Sequence, residues 1–282
     1  MTLDKTESNH FAGALGHMLR HWRDLRGRSQ IQLSLDTGVS QRHLSFIESG
    51  RSAPSRQTLM NIAQSLNVPL RDRNRLLLAA GFAPIYSEDA WNAREMQGIT
   101  RALERVLRQH EPYSAVVMDR YWNVFMTNES APRFFNLFID LGTRPKPRNI
   151  LHLLFDPAGM RPFIANWQSA SKGLLERIHR EAVGNFTDEK TKDLLTALLA
   201  YPDVDSDVNV TNGIGREPAL PVIPLSFTRD NRVLNYFSMV STVGTPQTIA
   251  AQELRVECMF PMDEMTEVHH QELMATAKDP DK

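Results

Sequence analysis

The stretch QIQLSLDTGVSQRHLSFIES, residues 30–49, constrains this chain more tightly than any other part of it. Two short runs with helical apolar spacing flank one glycine, Gly38. Ser29 followed by Gln32 is the capping-box pair that opens the first helix. Ser40 caps the second. Leu33 marks the inward face of the first helix, Leu44 and Ile47 that of the second. Helices this short bury little alone, so they must cross steeply and share a core. The turn between them then needs a residue that tolerates positive φ, and Gly38 supplies it. Val39 plugs the turn into the core.

Helical spacing continues on both sides. Leu15, Met18, Leu19, Trp22 and Leu25 form one stripe before it; Leu59, Ile62, Ala63 and Leu66 form another after Pro54-Ser55. A fifth helix runs from Leu70 to Ala80 and stops at Gly81. Residues 11–85 therefore read as an all-α five-helix domain. Facing outward on its third helix are Gln41, Arg42, Ser45, Phe46 and Ser49. Those side chains suit base edges: Gln pairs with adenine, Arg with guanine, and an aromatic packs on a thymine methyl. Gln30, opening the preceding helix, is placed to grip a phosphate, and Arg51 to grip a second. Charge agrees. Residues 1–85 hold 11 Lys+Arg against 6 Asp+Glu, a net of +5, whereas residues 86–282 hold 21 against 27, a net of −6.

Beyond residue 85 the texture changes. Ser87 to His110 reads as one linker helix, 86–110. Tyr113–Met118 and Trp122–Thr127 read as strands joined at Asp119-Arg120, and Asn128 caps a helix holding Phe134, Phe135, Leu137 and Phe138. A basic, proline-broken loop spans Arg144 to Arg148. Helices near 149–155, 160–183 and 188–200 follow, then strands near 221–228, 232–242 and 252–260. Residues 111–265 thus form an α+β domain, and 266–282 a polar, frayed tail.

Chemistry in this second domain is sparse. His152, His179, His269 and His270 lack metal-ligand spacing with acidic neighbours. The single cysteine, Cys258, excludes an intrachain disulfide framework and any multi-cysteine zinc site, and packs in a strand. Gly213-Ile-Gly215 lacks the rest of a phosphate loop. No nucleophile elbow is present, so no enzyme is expected. What stands out is apolar density: Trp122, Phe125, Phe134, Phe135, Phe138, Phe155, Phe163, Trp167, Phe237 and Met239. An ordinary core accounts for these; an apolar ligand cavity within that core is the sharper reading, with Arg133 and Arg161 as candidate carboxylate anchors. A composition of 41% hydrophobic and 23% charged residues is ordinary for a globular protein. The polar N-terminus lacks a secretory core, and no window reaches the roughly 18–20 apolar residues of a membrane helix. A soluble, cytoplasmic protein is expected.

The run SQRHLSFIESGRSAPSRQTLMNIAQSLNVPL resembles the phage-repressor, Xre-like class of helix-turn-helix over residues 13–82. Further on, DRYWNVFMTNESAPRFF, NILHLLFDPAGMRPFIANW and VLNYFSMVSTVGTPQTIAAQELRVECMFPMDE resemble the MmyB-like family, as does RDRNRLLLAAGFAP. Together these cover Leu15 to about Glu264. The resemblance implies a bacterial regulator with a PAS-like C-terminal domain of antiparallel sheet, whose pocket can hold a fatty-acid-like effector and which needs no cofactor. Met and Phe are unusually frequent across 125–138, a departure that points to a reshaped pocket.

One helix-turn-helix reads only about 4 to 6 base pairs, so useful affinity calls for two copies on half-sites about one turn apart. A homodimer on a partly palindromic double-stranded DNA operator is expected. Competing readings are a ligand-independent repressor whose C-terminal domain serves only dimerisation, an enzyme fused to a DNA-binding domain, and an antitoxin, for which the chain is long.

Overall fold

Five helices follow one another as the spacing predicts: α1 (Lys5–Leu25), α2 (Gln30–Thr37), α3 (Gln41–Glu48), α4 (Arg56–Ser65) and α5 (Leu70–Ala79). The structure is a computed structural model, which describes residues 5–88, 94–182, 188–204, 222 and 224–276. Local chemistry sets the helix ends. The Ser29 hydroxyl accepts the Gln32 N–H at 3.1 Å while Gln32 Oε1 accepts the Ser29 N–H at 2.8 Å, a closed capping box. Gly38 sits at φ 71° and ends α2. Ser40 Oγ accepts the His43 N–H and opens α3. Trp22, Leu33, Leu44, Ile47, Leu59, Ile62 and Leu76 are buried together, so each helix contributes to one core.

Contacts divide the chain into two units, the first built on 1–90 with 245–252, the second on 91–183, 187–244 and 253–282. Within the first, Leu70 N–H donates to Gln252 Oε1 at 2.7 Å, and Ile249 N–H to the Ser87 carbonyl. Asn74 holds the chain beyond α5: its Oδ1 accepts from the Ile85 and Tyr86 N–H groups and its Nδ2 donates to the Tyr86 carbonyl. Those bonds keep the backbone from winding, which corrects the expectation of one helix from Ser87. A short 3₁₀ turn at Arg94–Met96 leads instead into α6 (Gln97–Gln109). Residues 89–93, with Trp91, lie outside the described residues.

The second unit is α+β. Strands β1 (Ala115–Met118), β2 (Val124–Thr127), β3 (Leu225–Arg229), β4 (Arg232–Thr242) and β5 (Arg255–Pro261) form one antiparallel sheet in the order β2-β1-β5-β4-β3. β1 sits between a neighbour in sequence and a strand some 140 residues away, with Ala115 opposite Cys258 and Val116 opposite Glu257. The β1–β2 connection turns on Asp119, whose Oδ1 accepts from the Tyr121 and Asn123 N–H groups and holds Trp122 at φ 68°. Helices α7 (Ser130–Asn136), α8 (Ile150–Phe155), α9 (Trp167–Ala182) and α10 (Glu189–Leu199) supply the rest of a core that includes Trp122, Phe134, Phe155, Phe227 and Tyr236. The Asn128 side chain caps α7 as expected, accepting the Ala131 N–H. Where a strand was expected from 252, α11 (Ile249–Glu253) is still helical. Residue 221 and Gly213–Gly215 lie outside the described residues.

The expected frayed tail from 266 is corrected as far as Thr276, and residues 277–282 lie outside the described residues. Residues Glu264–Thr276 form α12, and Thr266, His270 and Met274 are buried along one stripe. Polar residues occupy that stripe because each has a partner. Thr266 Oγ1 accepts the Asn235 N–H, and His270 bonds Tyr236 and Pro112.

Candidate functional site

The surface of α3 is polar where it leaves the core. Gln41, Arg42, His43 and Ser49 are exposed, Ser45 and Phe46 half-buried, and Leu44, Ile47 and Glu48 buried. Arg42 and Phe46, four residues apart, meet as a cation–π pair with the guanidinium carbon 5.3 Å from the ring centroid. The Phe46 carbonyl accepts the Arg51 and Ser52 N–H groups, which fixes where exposed Arg51 leaves the helix. Gln30, half-buried at the start of α2, points its amide at the end of α3: Nε2 donates to Glu48 Oε2 at 2.9 Å. Gln41, Arg42, Ser45 and Phe46 thus share one helix, Ser49 caps its C-terminal end, and Gln30 and Arg51 are placed at that same end.

Glu48 escaped the sequence reading. Its signal was present: an acidic residue four after Leu44, on the stripe that otherwise faces the core. Charged residues are rarely buried unless paired. Here Arg23 grips both carboxylate oxygens, Nε at 2.7 Å and Nη2 at 3.1 Å. That hydrogen bond pushes the Arg23 guanidinium above its ordinary value. Arg20 adds a bond to the Glu48 carbonyl at 3.2 Å. Room for this comes from Gly16: a Cβ there would lie 2.4 Å from the Glu48 carbonyl oxygen.

The second unit holds a cavity of about 560 Å³, within the range of small-molecule sites. Sheet residues Val116, Val124 and Phe125 wall one side; Ala131, Phe135, Ile150 and Leu153 from α7 and α8 wall the other. Lys146, Pro147 and Arg148 also line it, which brings the basic loop of the sequence reading to the cavity. That loop is pinned. Arg144 Nη1 donates to Asp156 at 2.6 Å and Arg148 Nη2 to the Leu141 carbonyl at 2.8 Å. Arg148 Nε is buried without a hydrogen-bond partner among the described residues.

Of the aromatic residues singled out in the sequence, Phe125 and Phe135 line this cavity. Trp122, Phe134 and Trp167 are buried in the core. Phe138 packs on Phe134, Phe163 and Phe227. Phe237 stacks on Phe260, its ring centroid 5.5 Å away, and Met239 is exposed. Arg133 Nη2 donates to the Met274 carbonyl at the end of α12, and Arg161 lies over Trp167 and pairs with Asp203. What sequence reading missed was Val116, Ala131, Ile150 and Leu153, ordinary apolar residues that only the sheet order gathers. Among the described residues no cluster of three His, Cys, Asp or Glu is placed to hold a metal, and no helix is long and apolar enough to cross a membrane.

Residues 99–273 match the MmyB-like transcription regulator ligand binding domain, and residues 19–72 match a helix-turn-helix family. No curated protein matches the chain.

Proposed function

Since this chain belongs to the MmyB-like transcription regulators, DNA-binding proteins that carry a ligand-binding domain, we propose that it acts as a homodimer reading a partly palindromic operator and sensing a small apolar molecule with an anionic end. The observation that carries the ligand assignment is that two basic residues, Lys146 and Arg148, stand among the mostly apolar residues that line the cavity. A fatty-acid-like effector fits that chemistry. Its tail removes apolar surface from water, and its carboxylate accepts from Arg148 with Lys146 beside it.

On the DNA side, Arg42 and Gln41 read base edges from α3, Phe46 offers an apolar contact, and Gln30 and Arg51 hold phosphates. Two copies supply the affinity one α3 lacks. The effector changes operator binding only by favouring one conformation of the dimer over another. Titrating saturated fatty acids, and in parallel the matching fatty alcohols, while following operator binding tests this. The acids should shift operator affinity and the alcohols should not. If no acid binds, or bound acid leaves operator affinity unchanged, the sensing role is wrong. Sedimentation of the free chain decides the dimer.

A further inference from the structure

Glu48 joins three helices through one carboxylate. Its side chain is 4% exposed, yet it ends α3, beside the polar face. Arg23 of α1 occupies both oxygens, and Gln30 of α2 occupies Oε2 a second time. An isolated carboxylate buried this deeply is unfavourable, so the donors must be held in place for the fold to tolerate it. The Gln30 bond runs from the first residue of α2 to the last of α3. Its length therefore sets how far the phosphate-gripping end of one helix lies from the base-reading face of the other. A primary amide has two N–H donors. Glu48 takes one, which fixes the direction of the second and removes side-chain entropy that Gln30 would otherwise lose on binding DNA.

We propose that Glu48 is the positioning residue of the DNA interface: acting through Gln30, it sets the register between the phosphate contact and the bases read by α3. The inference rests on the reading of Gln30 as a phosphate contact, and the test separates the two. Gln30→Ala, Glu48→Gln, Arg42→Ala and the doubles Glu48→Gln with each are compared in operator affinity as full-length chains. Gln30→Ala alone should weaken binding about tenfold, the scale of a hydrogen bond to a charged group. In the Glu48→Gln background the same substitution should cost less than twofold, while Arg42→Ala keeps its full effect. A Gln30→Ala effect of the same size in both backgrounds overturns the positioning role and leaves the phosphate contact standing. No effect of Gln30→Ala in the parent overturns both.

If Glu48→Gln does not fold, the parent chain still decides. Nitrogen relaxation of the Gln30 side-chain amide in the DNA-free protein should give an order parameter near the rigid value of about 0.85. A value below about 0.6 means that the amide is not held, and the proposal fails.

Discussion

The two units solve the same problem, a buried core with polar groups in it, over different distances along the chain. In the helical unit α1 to α5 close a core around Trp22 within some 80 residues, and residues 245–252 join it at its edge through Leu70 and Ser87. In the α+β unit β1 lies against β5, so the sheet is complete only when residue 115 meets residue 258. The first is close-packed where it matters: the Gly16 position admits no Cβ against the Glu48 carbonyl. The second leaves about 560 Å³ open between its sheet and α7 and α8. The helical unit is filled at Gly16, and the α+β unit keeps a hollow that a ligand can fill. Substitutions that add volume should separate the two most sharply. Gly16→Val should destabilise the helical unit by about 3 kcal/mol, the upper end for overpacking. Ile150→Phe, pointing extra volume at the cavity, should change stability by less than about 1 kcal/mol while abolishing fatty-acid binding. Urea unfolding and ligand titration check both, and equal losses would erase the contrast.

Specificity gives the next largest effect. Arg42→Ala should cost about 1–3 kcal/mol at one base pair per half-site and little on scrambled duplex. Arg148→Met should do nothing on the DNA side but weaken fatty-acid binding about tenfold, as loss of one charge-assisted bond does. Direct binding to operator and scrambled DNA, with and without acid, reads these together. An Arg42 variant that loses both duplexes alike would move Arg42 from reading bases to holding phosphate.

The same difference in range explains what was legible beforehand. Ser29, Gln32, Gly38 and Ser40 act on neighbours two to four residues away, so the ends of α2 and α3 could be read directly from the chain. The strands and most helices of the second unit were legible too, because alternation and capping are local. The cavity was not. Its walls come from β1, β2, α7, α8 and the 144–148 loop, and no period in the sequence links Val116 to Leu153. Aromatic density drew attention to Phe134 and Trp167, which fill the core, while smaller residues left the space. α12 was missed for a related reason. His270 and Thr266 look like solvent-facing residues until Tyr236 and Asn235 supply their partners.

The smallest effect concerns acid. Burial pushes the imidazoles of His152 and His270 in the α+β unit, and of His21 in the helical unit, below their ordinary value. His270 is the most enclosed. Its Nε2 lies 3.0 Å from the Pro112 carbonyl, which only accepts, so Nε2 carries the proton and Nδ1 accepts from the Tyr236 hydroxyl at 2.8 Å. Protonating Nδ1 would place a charged ring among Phe134 and Tyr113, with the Tyr236 hydroxyl turned round to accept from it. The Pro112 bond opposes the downward shift, and burial outweighs it. With the folded value below the unfolded value of about 6.5, the unfolded chain binds protons first as pH falls. Stability is therefore full above that value and declines toward the lower, folded one. Between pH 7.5 and 5.5, protection factors from hydrogen exchange, corrected for the slowing of intrinsic exchange as pH falls, should drop more in β4 and α12 than in α3. His270→Gln can donate to Pro112 and accept from Tyr236 without titrating, so it should flatten the pH dependence of β4. If β4 keeps the parent's full pH dependence in that variant, His270 is not the group that titrates, and the two units do not differ in this respect.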